Sequence, residues 1–261
     1  FEVDANKFPE LSTLLDQIST VIDLDPNASV ALLGEAISLA LPINDFALLS
    51  TLYSSLGSCN VILHNPIAVR NYEAALDMAE NAYRPDLKVD ALHGLGRTFL
   101  VFVEVNTSLE YCEKALQLAR ELGLVNKFPK ILLTLGLVFA NTRQYERYIA
   151  MSREAAECAA SIADMRFHGH ALNNWADGLT SRFLVLKEES GTSHTELLDE
   201  AIDKARMSLQ LVRQNGLIRL ELLAAETLAH AMEHKGIYVE AIAHLEETLQ
   251  RLQNHGFVKE I

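Results

Sequence analysis

The chain has 261 residues and a formal net charge of −13, and 49% of its residues are hydrophobic but only 7% aromatic. That charge argues against duplex nucleic acid, which is held by a basic face that releases counterions, and against anionic membrane surfaces. The apolar runs are short and periodic, so no transmembrane helix is expected, and Phe1-Glu2-Val3-Asp4 lacks the basic start of a signal peptide.

In chain order, Pro9 to Leu24 and Ala28 to Leu41 read as two helices broken by Asp25-Pro26-Asn27. Leu49, Leu52, Tyr53 and Leu56 mark a third, and Asn71-Tyr72-Glu73-Ala74-Ala75-Leu76-Asp77-Met78-Ala79 a fourth. The stretch from Gly57 to Asn65 between them reads as a connection longer than a tight turn needs. Then comes Leu92-x-x-Leu95-Gly96-x-x-Phe99. The pattern returns as Leu132-x-x-Leu135-Gly136-x-x-Phe139 and, in worn form, as Leu172-x-x-Trp175-Ala176-x-x-Leu179. The leading leucines are forty residues apart, the mark of one supersecondary unit stacked on copies of itself.

Residues three and seven along from each leading leucine share its helical face, and the glycine lets a following helix come close. A second helix follows in each unit. The first runs from about Thr107 to Leu122, with contact positions Ser108, Cys112 and Ala115. The next runs from about Tyr145 to Ala163, with Tyr148, Ser152 and Ala155 in the same places. The third unit carries an insertion around Lys187 to Thr195, where Glu188-Glu189-Ser190-Gly191-Thr192-Ser193 has loop composition. Ser193 or Thr195 is the expected cap of the helix containing Ala201, Ala205 and Ser208. The last unit pairs Ala225, Leu228, Ala229 and Met232 with Ala241, Leu245 and Thr248, turning at Gly236.

Large residues on a first helix facing small ones on a second resemble the tetratricopeptide repeat (TPR), in its lengthened forty-residue form. The resemblance implies an all-α fold: a right-handed superhelical solenoid of antiparallel helix pairs, about twelve helices, forming a single domain over 1–261. Clear repeats fall at 89–128, 129–168, 169–215 and 222–255, and degenerate ones at 9–41 and 46–84.

In that family the first helices line a concave groove, and the second, fifth, ninth and twelfth positions of each unit face inward. Carried over, these are Asp90, His93, Arg97 and Leu100, then Lys130, Leu133, Leu137 and Ala140. They continue with His170, Asn173, Asp177 and Thr180, beside Asn174, and end with Leu223, Glu226, His230 and Glu233. Leu133 and Leu137 make an apolar middle and the later positions are polar, a mixture that suits an extended peptide or a helix laid in the groove. Some relatives clamp a C-terminal carboxylate with Lys, Arg and Asn. Arg97, Lys130 and Asn173 are present here, but Asp90, Asp177, Glu226 and Glu233 would repel a carboxylate.

His230-Ala231-Met232-Glu233-His234 spells H-x-x-E-H, a zinc-peptidase arrangement. Met232 is needed for packing, which turns His230, Glu233 and His234 toward an exposed side, so no catalytic metal is expected. His168-Gly169-His170 reads as the start of a repeat helix with His170 toward the groove. Cys59, Cys112 and Cys158 show no zinc or disulfide spacing, which favours a reducing cytoplasm, and Cys112 falls on a packing position. No cofactor and no enzyme chemistry are expected of this segment.

The lengthened repeats, with phrases such as Ala115-Leu116-Gln117-Leu118-Ala119-Arg120-Glu121-Leu122-Gly123, resemble arrays that precede an output domain in bacterial regulators. Diguanylate cyclases, transcription activators and peptide-pheromone receptors are examples. The start without Met and the end at Gly256-Phe257-Val258-Lys259-Glu260-Ile261, just past a helix, read as a piece of a longer chain. The resulting expectation is a peptide- or protein-binding sensory segment of a signalling protein, with a diguanylate cyclase as the first output to test. The alternatives are a free-standing adaptor and, remotely, a metal-dependent hydrolase. Exposed end units can also pair with a second copy, giving a homodimer.

Overall fold

The computed structural model describes residues 7–22, 24–191 and 194–254. Phe1 to Asp4, the proposed cap Ser193 and the Gly256 to Ile261 end lie outside them. Among the described residues every regular element is helical: twelve α-helices, two 3₁₀ turns and no strand.

The chain divides into two compact units, 1–127 and 128–261. The first holds α1 (Pro9–Val21), α2 (Pro26–Ala40), α3 (Phe46–Ile62), α4 (Ile67–Asn81), α5 (Pro85–Val101) and α6 (Val105–Glu121). Asp25 caps α2 by accepting the N–H groups of Asn27 and Ala28, and Pro26 takes the first helical position, where its missing N–H costs nothing. Leu15 and Ile18 of α1, Leu33 and Ala36 of α2, and Leu49 and Leu52 of α3 close one core. Pro26 to Ile43 is the one described stretch long and apolar enough to cross a membrane, which the sequence reading did not expect. Its regular helix is 15 residues long, about 22 Å, short of a ~30 Å hydrocarbon layer. Ser29, Leu33, Ala36, Ile37 and Ala40 on it are buried among neighbouring helices.

The second unit holds α7 (Phe128–Asn141), α8 (Tyr145–Ser161), α9 (Met165–Ser190), α10 (Thr195–Gln214), α11 (Ile218–Lys235) and α12 (Tyr238–Asn254). Consecutive helices pack in pairs, and the first helices also meet one another: α7 lies against α9, and α9 against α11. Leu228 and Met232 of α11 and Leu209 and Val212 of α10 belong to one buried cluster.

Among the described residues, every connection from α2 onward contains one residue in the left-handed region. Gly123, Gly191, Gly216 and Gly236 suit it, but Tyr83, Val103, Arg143 and Ala163 occupy it too. At most of these turns the residue after the left-handed one donates its N–H to a carbonyl five residues back, closing the helix end. Examples are Glu104 N–H to Phe99 C=O and Gln144 N–H to Phe139 C=O, both 2.8 Å.

Three local expectations are corrected. Gly57 to Ile62 is helical, because Gly57 lies against the Tyr72 ring and α3 must run on to place it there. The insertion at Lys187 is two further turns or so of α9, which reaches Ser190 and ends on left-handed Gly191. Thr195 is already helical, and the cap position belongs to His194, which makes no capping bond.

Candidate functional site

In the first unit the inward-facing positions are Asp90, His93 and Arg97 on α5. His93 is buried, and Arg97 donates from Nη2 to Ser58 Oγ of α3 at 2.9 Å, while its buried Nε has no partner. Asp90 is neutralised by Lys127 at 2.6 Å. Burial pushes the Tyr72 hydroxyl above its usual range, and the nearby Arg97 charge opposes that. This cluster is therefore largely engaged with itself.

In the second unit Lys130, Leu133 and Leu137 lie on α7. Leu133 is buried in the packing rather than offered as an apolar anchor, since it is 4% exposed; Leu137, at 37%, is the accessible one. On α9, His170, Asn173 and Asp177 recur at three- and four-residue spacing and so share a face, with Asn174 beside them. Thr180 spends its hydroxyl on the Ala176 carbonyl at 3.0 Å.

Two of these groups stand out. Asn173 Oδ1 and Asn174 Nδ2 are both buried and neither has a hydrogen-bond partner. Buried polar atoms are nearly always paired, because leaving one unpaired costs about 1–3 kcal/mol. Here a vacant acceptor and a vacant donor sit on adjacent residues. Next to them the Tyr148 hydroxyl of α8 donates to Asp177 Oδ2 at 3.2 Å. Burial raises the Asp177 carboxyl above the usual carboxylate range, opposed by the Tyr148 bond and by His230 of α11. Burial, followed by the Arg166 charge, lowers the His170 imidazole below its ordinary value.

On α11, Glu226, His230 and Glu233 are exposed while Met232 is fully buried, as the packing pattern required. His230 Nε2 and His234 Nε2 are 3.0 Å apart, so one ring donates and the other accepts, which requires at least one to be neutral. Burial is the main cause that lowers His234, and the His230 charge adds to it. Among the described residues no three His, Cys, Asp or Glu side chains are grouped to hold a metal ion. Glu226, His230 and Glu233 instead line a cleft of about 330 Å³ between α11 and α12, closed on the other side by Tyr238, Ile242 and Leu245.

His93 and Arg97 lie on α5 of the first unit. In the second unit α7 packs against α9 and α9 against α11, and Asp177 of α9 lies within the field of His230 of α11. Sequence reasoning missed the part of Tyr148, treated as one more contact position, and took Leu245 for an inward contact where the structure leaves it 36% exposed, in the cleft lined by Tyr238, Ile242 and Leu245. The last three recur at helical spacing on α12, a signal that was available.

The sequence matches no known family profile and no curated protein. The fold does match solved structures. BtubC (BKLC) from P. vanneervenii superposes with a TM-score of 0.67 at 20% identity, over 97% of this chain and 95% of that one. A Signal Transduction ATPase with Numerous Domains protein with a tetratricopeptide repeat sensor, from Pyrococcus horikoshii, also gives 0.67 at 16% identity. That match spans 95% of this chain and 37% of the larger protein. TPR-like repeats of a putative kinesin light chain from Podosopora anserina give 0.58 at 12% identity, over 80% and 98% of the two chains. The fold is a TPR-like α-solenoid.

Proposed function

We propose that the chain is a binding module that holds a protein or peptide segment on the α7 and α9 face of its second unit and serves as the sensing part of a bacterial signalling protein. The observation that carries this is the pair of orphaned amides at Asn173 and Asn174. A peptide backbone offers both N–H donors and C=O acceptors, the complements of a vacant Oδ1 and a vacant Nδ2. Exposed Leu137 on α7 supplies an apolar contact. Both side chains are only 4% exposed, like Leu133, so ligand entry requires a change of the first side-chain torsion at each that brings the amide head to the surface.

The Pyrococcus protein supports a sensory setting, since there a chain of this fold is one part of a larger signalling ATPase. None of the structures named above is a diguanylate cyclase, and the proposal assigns no output chemistry. A free-standing adaptor would use the same face, and the mass of the native protein in its own cells separates the two settings.

The test is to pan a displayed library of random unstructured peptides on the purified chain and compare the selected binders on an Asn173→Ala/Asn174→Ala variant of unchanged helicity. Binding weakened by about tenfold or more, some 1.4 kcal/mol, supports the reading. Selected peptides that bind both proteins equally place recognition elsewhere.

A further inference from the structure

Asp177 of α9 is a partly exposed carboxylate that is held from one side. The Tyr148 ring of α8 is buried against two glycines, Gly136 of α7 and Gly178 of α9, where an added methyl group would meet it at 3.1 and 3.2 Å. Wedged there, its hydroxyl is fixed and donates to Asp177 Oδ2 at 3.2 Å. His230 acts on the carboxyl through its charge, without a hydrogen bond. Among the described residues no donor reaches Asp177 Oδ1, and no Lys or Arg pairs with the group. One helical turn earlier, Asn173 Oδ1 is buried and also lacks a donor. Side chains four apart on a helix share a face, with Cβ atoms about 5–6 Å apart. Helix α9 therefore carries two neighbouring acceptors without donors, one of them charged.

We infer that Asn173 and Asp177 form a subsite for the cationic head of a Lys or Arg side chain in the bound segment. The inference rests on the reading of the α7 and α9 face as a peptide site, and it adds the charge that the site selects. An ammonium or guanidinium offers several N–H donors and no acceptor, so one head reaches both oxygens, each at about 2.9 Å. A neutral N–H serves one acceptor but leaves the half-buried charge uncompensated, and a carboxylate is repelled. Asn174 Nδ2, the donor beside them without a partner, is left for a backbone carbonyl of the same segment. The cation meets Asp177 first, because Asn173 joins only once its first torsion has turned. Helices α7, α8, α10 and α11 all pack against α9, so the surroundings of the subsite belong to described helices.

The test pans two displayed libraries of random unstructured peptides, one containing Lys and Arg and one built without them, at about 0.15 M salt. The targets are the purified chain and its Asp177→Asn variant, which keeps the side-chain shape. On the parent, binders are expected from the first library alone, each with a Lys or Arg whose change to Gln weakens binding about tenfold. On Asp177→Asn the same change to Gln is expected to cost less than about twofold, the mark of coupling between the two groups. The variant removes one charge from a chain carrying −13, so a general attraction for basic peptides survives it, whereas a subsite does not. Equal recovery from the two libraries, or a cost of the Gln change that persists on Asp177→Asn, overturns the inference. If those binders still weaken on Asn173→Ala/Asn174→Ala, the amide reading stands without it. Binders that ignore the double variant, or no binders from either library, overturn both.

Discussion

Glycines show how closely single residues set this packing. A methyl group built on Gly94 lies 2.1 Å from the Tyr72 ring, and one on Gly96 lies 2.3 Å from Cys112 Sγ, while one on Gly136 meets Tyr148 at 3.1 Å. Gly→Ala within a helix gains about 1 kcal/mol of propensity, whereas overpacking a full core costs about 1–3 kcal/mol. Gly94→Ala and Gly96→Ala, with the closest approaches, are therefore expected to lose up to about 2 kcal/mol net in urea denaturation, and Gly136→Ala to stay within about 0.5 kcal/mol of the parent. A Gly94→Ala protein as stable as the parent would mean that Tyr72 does not fill this space. Gly96 and Gly136 were legible because the repeat motif places them. Gly94 and its partner Tyr72 were not, since nothing in either neighbourhood reveals that a ring from a second helix lies against glycines of two first helices, Gly57 and Gly94.

The titrating groups beside the orphaned amides act in opposite directions. Burial raises Asp177 above its ordinary 3.8, so the folded state binds that proton more tightly than the unfolded one. Its contribution is present at low pH and lost as pH rises through the raised value. His170 is depressed below 6.5, so its contribution is present above 6.5 and lost as pH falls through the depressed value. Asp177→Asn is thus expected to raise Tm at pH 7 and leave it nearly unchanged at pH 3, where the native carboxyl is already protonated. A variant with lower Tm at pH 7 would show that the Tyr148 and His230 contacts outweigh burial.

At the scale of elements, the helix pairs follow the reading closely, and the departures have identifiable causes. Gly57, Ser58 and Asn60 have loop composition, yet tertiary packing keeps them helical: Gly57 lies against Tyr72, Ser58 receives Arg97, and Asn60 donates to the Leu56 carbonyl. Lys187 to Ser190 extends α9 because the stop signal is Gly191, a few residues later than the composition suggested. Tyr83, Val103, Arg143 and Ala163 end helices in a conformation usually left to glycine, so no residue-type signal marks those turns.

The last element is tied to α10 and α11 by charge as well as by the burial of Ala241 and Leu252. Glu221 of α11 is 2% exposed and accepts from Arg213 of α10 at 2.8 Å and from Arg251 of α12 at 2.7 Å. Arg213 also reaches Glu247 and Thr248 of α12. Removing one member of a buried ion pair typically costs about 3–5 kcal/mol. Both arginines keep solvent access, so Glu221→Ala is expected to cost less, about 2 kcal/mol. The loss should concentrate in α12, read as faster amide exchange there. Uniform loss of protection across α7 to α12 would show that the network serves the whole unit.

At the scale of the molecule, the forty-residue spacing of Leu92, Leu132 and Leu172 makes the repeat architecture legible, and Leu92 and Leu132 sit at buried positions on α5 and α7. The site was legible only as a set of candidate positions. Helical phase tells that Asn173 and Asp177 share a face, but whether an amide finds a partner depends on neighbouring helices. The same limit hid the cleft, because α12 reads as an ordinary second helix until Tyr238, Ile242 and Leu245 are seen lining a space beside Glu226 and Glu233.

The division into two compact units has a consequence for stability. In a stacked array each helix gains its burial from near neighbours, so a local loss stays local, whereas in a domain with one core it is felt throughout. Leu33 is fully buried among α1, α2 and α3. Leu33→Ala there should cost about 2–5 kcal/mol of local stability. Hydrogen exchange should accelerate strongly in α1 to α3 while the amides of α9 to α11 keep their protection. Equal acceleration at both ends of the chain would mean that the two units unfold as one cooperative body, and the repeats would then be linked by more than neighbour contacts.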